Sequence, residues 1–213
     1  FMWKYDGMHK NQMDWYRGEV EALTAHNRAL GAPMPKSLMF FHIPIVQYKT
    51  AWEAYKENGY KDTGEVQVHY GEKGGLFPSL HPDNVFDTLQ QVGSTRGTFC
   101  GHDHLNNLSV TYKGIRLTYG LSVDYLAYIG IKNYGAQRGF TRITVRPDGS
   151  FDCQPVSYYQ KPFWNGEEQV QMTPYYPPEK NPNAYPADYK AHSLSVSDIV
   201  VLHKNRENSA HFV

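Results

Sequence analysis

The sequence predicts an α/β fold, and two observations carry that expectation. Stretches whose apolar residues recur every three or four positions alternate with short apolar runs of strand length, and glycine-bearing turns separate several of the later runs in the manner of hairpins. With 213 residues and 40% apolar content, the chain can build a real core, because a chain of this size buries roughly 70% of the surface it exposes when unfolded.

From Asn11 to Leu30 the apolar residues Met13, Trp15, Tyr16, Val20, Leu23 and Leu30 predict an amphipathic helix closed by Gly31. Ala32-Pro33-Met34-Pro35 breaks it, and Ser37 to Phe41 follows as a buried strand that ends at His42-Ile43-Pro44. Lys49 to Asn58 suits a short helix. Gly59 to Gly75 is polar and glycine-rich, a loop with one strand at Glu65 to Tyr70. Val85, Phe86, Leu89 and Val92 predict a helix over Pro82 to Val92, started by Pro82-Asp83 and stopped by Gly93.

Strands are then expected at Gly97 to Cys100, Leu108 to Tyr112, Ile115 to Tyr119 and Arg138 to Val145. Lys113-Gly114 is one hairpin signal, and Pro147-Asp148-Gly149 before Ser150 to Val156 is another, so this stretch reads as mostly antiparallel sheet. Beyond Tyr158 the composition shifts to Pro, Tyr and Asn through Pro182, an extended, surface-hugging segment. Strand character returns around Ile199 to Leu202 within Ser193 to His203. Two regions are therefore expected, 1–158 and a tail over 159–213.

With 21 basic and 21 acidic side chains the formal charge is zero, so no global field draws the chain to nucleic acid or to an anionic membrane. No apolar run is long enough to span a bilayer, and the opening Phe1-Met2-Trp3-Lys4 is not a charged leader, so the chain reads as soluble and as entered midway. Cys100 and Cys153 are too few for a disulfide framework, which leaves the compartment open.

The chemistry concentrates in Gly101-His102-Asp103-His104, entered from the apolar run Gly97 to Cys100. Two histidines at i and i+2 of an extended segment project from one face, so both imidazoles reach one small volume. Gly101 keeps the space beside them clear. His42 is of the same local type, at the end of an apolar strand. Ligands of open α/β sheets collect beyond the carboxyl ends of strands, where all three would lie. Neutral imidazole suits zinc, iron, manganese or nickel rather than calcium.

These residues carry a resemblance. Phe40-Phe41-His42-Ile43-Pro44, Gly75-Leu76-Phe77, Gly97 through Asn107 and Tyr112 through Gly120, in that order, resemble the calcineurin-like metallophosphoesterase superfamily, and within it the branch related to purple acid phosphatases. The resemblance covers Tyr5 to Tyr158. It implies a mixed β-sandwich flanked by helices. It also implies a phosphate-ester substrate, a monoester or diester, and two metal ions drawn from iron, zinc and manganese, with His42 and His102 on one ion and His104 on the other. Asp103 would support a neighbouring ligand histidine from behind.

The family's other ligands come from an Asp-x-His, a Gly-Asp-x-x-Asp and the Asn of a Gly-Asn-His, none of which occurs in this chain. A two-metal centre needs a shared carboxylate to hold its ions ~3.5–4 Å apart, and the family's leaving-group acid is the His of that last motif. No catalytic acid or base is therefore assigned, and the chain is expected to be the C-terminal part of the phosphoesterase domain, inactive without the missing N-terminal half as partner. The alternatives are a non-catalytic binding or structural module, and a mononuclear site on the same three histidines.

His69 and His81 flank the glycine-rich loop within reach of a substrate phosphate, although solvated loop histidines are the simpler reading. Tyr119, Tyr125, Tyr128 and Tyr134 form a stripe suited to core and rim packing or to lining a cleft. Gln47 and Gly74 depart from the residues common in the family, which bears on substrate contacts. The tail from Tyr185 to Val213 resembles a small uncharacterised domain of bacterial mobile-element proteins, which implies a bacterial source.

Overall fold

A computed structural model describes residues 5–71, 75–81, 84–123, 139–157, 200–204 and 207–211. The chain divides into two compact units, Phe1–Thr173 and Pro174–Val213. The first holds helices α1 (Lys10–Ala29), α2 (Val46–Glu57) and α3 (Val85–Val92). Its strands are β1 (Ser37–Phe40), β2 (Val66–Tyr70), β3 (Thr95–Cys100), β4 (Ser109–Tyr112), β5 (Ile115–Tyr119), β6 (Gly139–Val145) and β7 (Phe151–Ser157). The second holds the antiparallel pair β8 (Val200–Lys204) and β9 (Glu207–His211).

The expected α/β class is what the structure has: a mixed five-stranded sheet in the order β1-β3-β5-β4-β2, with helices against it. β1 and β3 pair in parallel, as do β3 and β5, whereas β4 joins β5 and β2 antiparallel. Both signalled hairpins, β4–β5 and β6–β7, are antiparallel, while β3 pairs with β5 in parallel. Lys113 and Gly114, at φ 46° and 83°, make the two-residue turn whose twist matches antiparallel strands. β5 is then delivered beside β3 running the same way.

Alternation along the strands sorts their side chains to two faces. Cys100, Val110, Ile115, Leu117 and Tyr119 join Tyr48 and Ala51 of α2, Val85, Phe86 and Leu89 of α3, and Met13, Tyr16 and Val20 of α1 in one buried cluster. Gly97 and Phe99 face the other way. There Phe151 of the β6–β7 hairpin lies 6.0 Å from Phe99 between ring centroids, and a Cβ on Gly97 would stand 2.5 Å from the Phe151 ring. Glycine at 97 is what lets the hairpin close on that face, giving the two-layered arrangement of sheet against hairpin.

α1 buries a narrower stripe than its apolar pattern predicts. Met13, Tyr16 and Val20 face the core, but Trp15, Leu23 and Leu30 are 68%, 50% and 70% exposed. Trp15 points away from the buried stripe, whereas Leu23 shares the side of Tyr16 and Val20 and Leu30 is the C-cap, so the helix is covered only over its first turns. β9 had no strand signal in Glu207-Asn208-Ser209-Ala210-His211. It forms because β8 supplies a ladder, an instance of pairing outweighing intrinsic preference. Most of the Pro- and Tyr-rich tail, the Pro82-Asp83 helix start, Gly74 and the tyrosines at 125, 128 and 134 lie outside the described residues.

Tyr48 ties the layers together. Its fully buried hydroxyl is 2.9 Å from Thr98 Oγ1 and donates toward the Thr98 carbonyl at 3.0 Å, while the Thr118 amide donates to it at 3.2 Å. Burial holds its ionisation far above the usual phenol range. Tyr48→Phe leaves buried groups on β3 and β5 short of a partner, so it should destabilise the chain by about 1–3 kcal/mol. Urea denaturation should show a lower midpoint with an unchanged slope.

Candidate metal centre

The parallel pairing of β1, β3 and β5 continues past the strand ends as a backbone zipper. The Phe41 amide donates to the Phe99 carbonyl at 3.0 Å, that of Gly101 to the His42 carbonyl at 3.1 Å, and that of Gly120 to the Cys100 carbonyl at 2.7 Å. These bonds bring His42 and Gly101-His102-Asp103-His104 to one end of the sheet. The His42 and His102 rings stand 5.3 Å apart between centroids, nearly perpendicular at 84°. Gly101 lies beside the His42 ring, where a Cβ would stand 3.5 Å from Nδ1, an ordinary contact. Its bare backbone leaves room next to the imidazole.

The segment after Gly101 is not extended. His102 has φ 70°, a left-handed conformation that costs a side-chain-bearing residue about 1–2 kcal/mol. The Asp103 amide then folds back to the Gly101 carbonyl at 2.8 Å, and the Asn106 amide to the Asp103 carbonyl at 2.8 Å. The expected same-face projection of His102 and His104 rests on an extended backbone, and this turn replaces it. His104 sits half-buried in the turn, and the His42 and His102 rings stand against each other. Residues i and i+2 share a face only while the chain is a strand, and β3 ends at Cys100.

Asp103 points its carboxylate at the core. Oδ2 accepts from the Tyr119 hydroxyl at 2.6 Å and from the Phe77 amide at 3.1 Å. Tyr119 is fully buried, and burial foremost, then the neighbouring Cys100 and Asp103, push its ionisation far above the ordinary range. Asn106 Nδ2 donates to the Gly75 carbonyl at 3.3 Å, so the Gly75-Leu76-Phe77 segment is laid over the turn. Tyr5 packs edge-on against His102 with centroids 4.5 Å apart. No motif marked Tyr5, and contact alone identifies it as a residue of this end.

The other histidines are placed elsewhere. His69 on β2 lies 2.8 Å from Thr111 Oγ1, and partial burial, followed by the Arg116 charge, holds its pKa below the usual value. His81 lines a cavity with Asp6, Gly7, Met8, His9, Lys10 and Asn84, in which His9 Nε2 is 3.0 Å from Asp6 Oδ2. Tyr119, the described member of the tyrosine stripe, is a core residue.

Two imidazoles converging beside a glycine fit as part of a donor set for a transition metal. They do not complete one: among the described residues no three His, Cys, Asp or Glu side chains are grouped so as to hold a metal ion. Nor, among these residues, is any helix long and apolar enough to cross a membrane. Relieving the left-handed strain gives a direct test of the turn, because glycine adopts that conformation without a Cβ penalty. His102→Gly should leave thermal stability within about 1 kcal/mol of the parent, because relieved strain offsets the lost ring contacts and the greater freedom of glycine in the unfolded chain. Calorimetric unfolding checks it, and a variant that melts well below the parent would show that the ring packing outweighs the strain.

Comparison with known proteins bears on the fold at a coarse level. The probable inactive purple acid phosphatase 28 of Arabidopsis thaliana is 27% identical over 124 residues, covering 58% of this chain and 28% of that protein. The probable inactive purple acid phosphatases 14 and 29 of the same plant are 24% identical over 131 residues and 26% over 136, each covering 60% of this chain. They are themselves covered to 30% and 31%, so the chain spans under a third of the length of these relatives. The YodL-like domain family matches residues 169–213, within the tail. No solved structure matches. The distant homologues of this chain are thus purple acid phosphatase-like proteins described as inactive, which suggests the metallophosphoesterase superfamily and a phosphoesterase-related fold.

Proposed function

We propose that this chain is the C-terminal part of a metal-dependent phosphoesterase domain that acts, when complete, on phosphate mono- or diesters. In this reading His42 and His102 are ligands of one ion and His104 of a second, the ions being drawn from iron, zinc and manganese. The observation that carries it is the convergence of His42 and His102 at the carboxyl ends of two adjacent parallel strands, where α/β sheets place their ligands. When bound, a pair of such ions supplies an activated water and neutralises charge on phosphoryl oxygens. The part of this chain is narrower: it presents imidazoles, keeps space open at Gly101, and offers Tyr5 and the half-exposed Phe77 as an aromatic rim.

The same reading holds that the chain does not turn over by itself. Its partner would be a polypeptide that brings the shared carboxylate and the Gly-Asn-His acid. A second reading, a non-catalytic module on the same scaffold, draws support from the inactive description of the relatives and from the incomplete donor set among the described residues.

Calorimetric titration of the purified chain with Zn²⁺ or Mn²⁺, beside an aryl phosphate assay, tests both readings. The expected result is weak binding of an ion that His42→Ala and His102→Ala each abolish. Turnover should stay at the buffer rate, since lost leaving-group protonation alone is worth about 10²- to 10⁴-fold. Metal-dependent hydrolysis by the chain alone would overturn the claim of inactivity. Binding of no ion, alone or with a complementing N-terminal half, would favour the non-catalytic module.

A further inference from the structure

We propose that the Tyr119 hydroxyl, acting through the Asp103 carboxylate, is the positioning group that holds the His102 imidazole against His42. The inference rests on the reading of that pair as metal ligands for its functional meaning, but its geometry stands on this chain alone.

A residue other than glycine stays left-handed only where its surroundings over-determine it. At His102 the constraint on the amino side is the Gly101 amide bonded to the His42 carbonyl. On the carboxyl side it is Asp103, whose amide returns to Gly101 and whose Oδ2 is gripped by two donors from distant parts of the sequence. One of these, Tyr119, cannot yield. Its ring packs at 5.1 Å against Tyr48 between centroids, and its amide is bonded to the Leu108 carbonyl at 2.8 Å at the end of β5. The other, Phe77, belongs to a segment tied a second time through Gly75 to Asn106. The short Tyr119 to Asp103 bond is therefore the fixed end of a clamp, Phe77 is its movable arm, and His102 is the residue between clamp and zipper.

Such a clamp works through the geometry of the acceptor oxygen, not through its charge. An amide oxygen has two lone pairs and accepts both bonds. Asp103→Asn should therefore preserve what Asp103→Ala and Tyr119→Phe destroy. That pattern separates a positioning role from a carboxylate that ligates metal or charges an imidazole, for which the asparagine would fail as badly as the alanine.

The test uses the full 213-residue chain as parent and in these three variants. Hydrogen exchange at the Phe77 amide and cross-relaxation between the His42 and His102 rings are read without metal, and Co²⁺ is then titrated with its visible spectrum recorded. Tyr119→Phe and Asp103→Ala should speed Phe77 exchange about tenfold or more. They should also abolish the ring contact and weaken Co²⁺ binding about 10- to 100-fold. Asp103→Asn should stay within about threefold of the parent in every readout. An unchanged ring contact and unchanged Phe77 exchange in Tyr119→Phe would overturn the proposal, as would an Asp103→Asn that fails like Asp103→Ala. If the parent binds no Co²⁺, alone or with a complementing N-terminal half, the metal reading falls, while exchange and ring contact still decide the positioning role.

Discussion

Parallel backbone pairing that runs past the carboxyl ends of β1, β3 and β5 is the constraint from which the candidate centre follows. A strand normally releases its chain into a loop once the ladder ends, and side chains beyond that point are placed by whatever the loop happens to pack against. Here three further amide-to-carbonyl bonds, at Phe41, Gly101 and Gly120, keep adjacent chains in step for another residue or two. His42 and His102 are the first side chains after the ladder, so their separation is set by the spacing of paired backbones. This is a stiffer determinant than side-chain packing, because each buried amide left without its carbonyl would cost free energy.

The ladder itself depends on what covers it. On one face α2 inserts Tyr48, whose hydroxyl satisfies groups of β3 and β5 at the level of Thr98 and Thr118. On the other, the β6–β7 hairpin approaches over Gly97 with Phe151. At the opposite end of the sheet, Tyr16, Ser37, Ser94 and Thr95 join their hydroxyls in a chain of contacts between 2.8 and 3.0 Å. That chain links α1 to β1 and β3. Polar groups thus fasten both ends of the parallel strands while apolar packing fills the middle, and fully satisfied buried networks of this kind favour one arrangement over its near neighbours.

In the proposed reading the functional consequence is a rigid half of a site. Imidazoles held by backbone and by a clamped turn need little rearrangement to receive an ion, and Gly101 keeps the approach open. The donor set among the described residues nevertheless stops at two converging imidazoles. The relatives that resemble this chain are several times longer than the matched stretch. Under the proposed function, precise presentation and an incomplete donor set are compatible, because the chain would supply one wall of a centre.

Much of the architecture was legible in the sequence because it is written in local signals. The periodicity of Val85, Phe86 and Leu89, the Lys113-Gly114 turn, and the apolar runs ending at His42 and His102 each report a geometry that a few neighbouring residues impose. The three histidines were legible as candidates for the same reason. What the sequence could not decide depends on residues far apart along the chain. Which of the apolar residues along α1 are buried required knowing where the sheet lies. β9 required β8. The left-handed turn at His102 required the Tyr119 hydroxyl, 16 residues away along the chain, and the Phe77 amide, 26 away, to hold Asp103. The sequence by itself determined the helices and most strands and nominated the imidazoles. Tertiary structure decided that the His42 and His102 rings meet, because that outcome is set by long-range hydrogen bonds that no local pattern encodes.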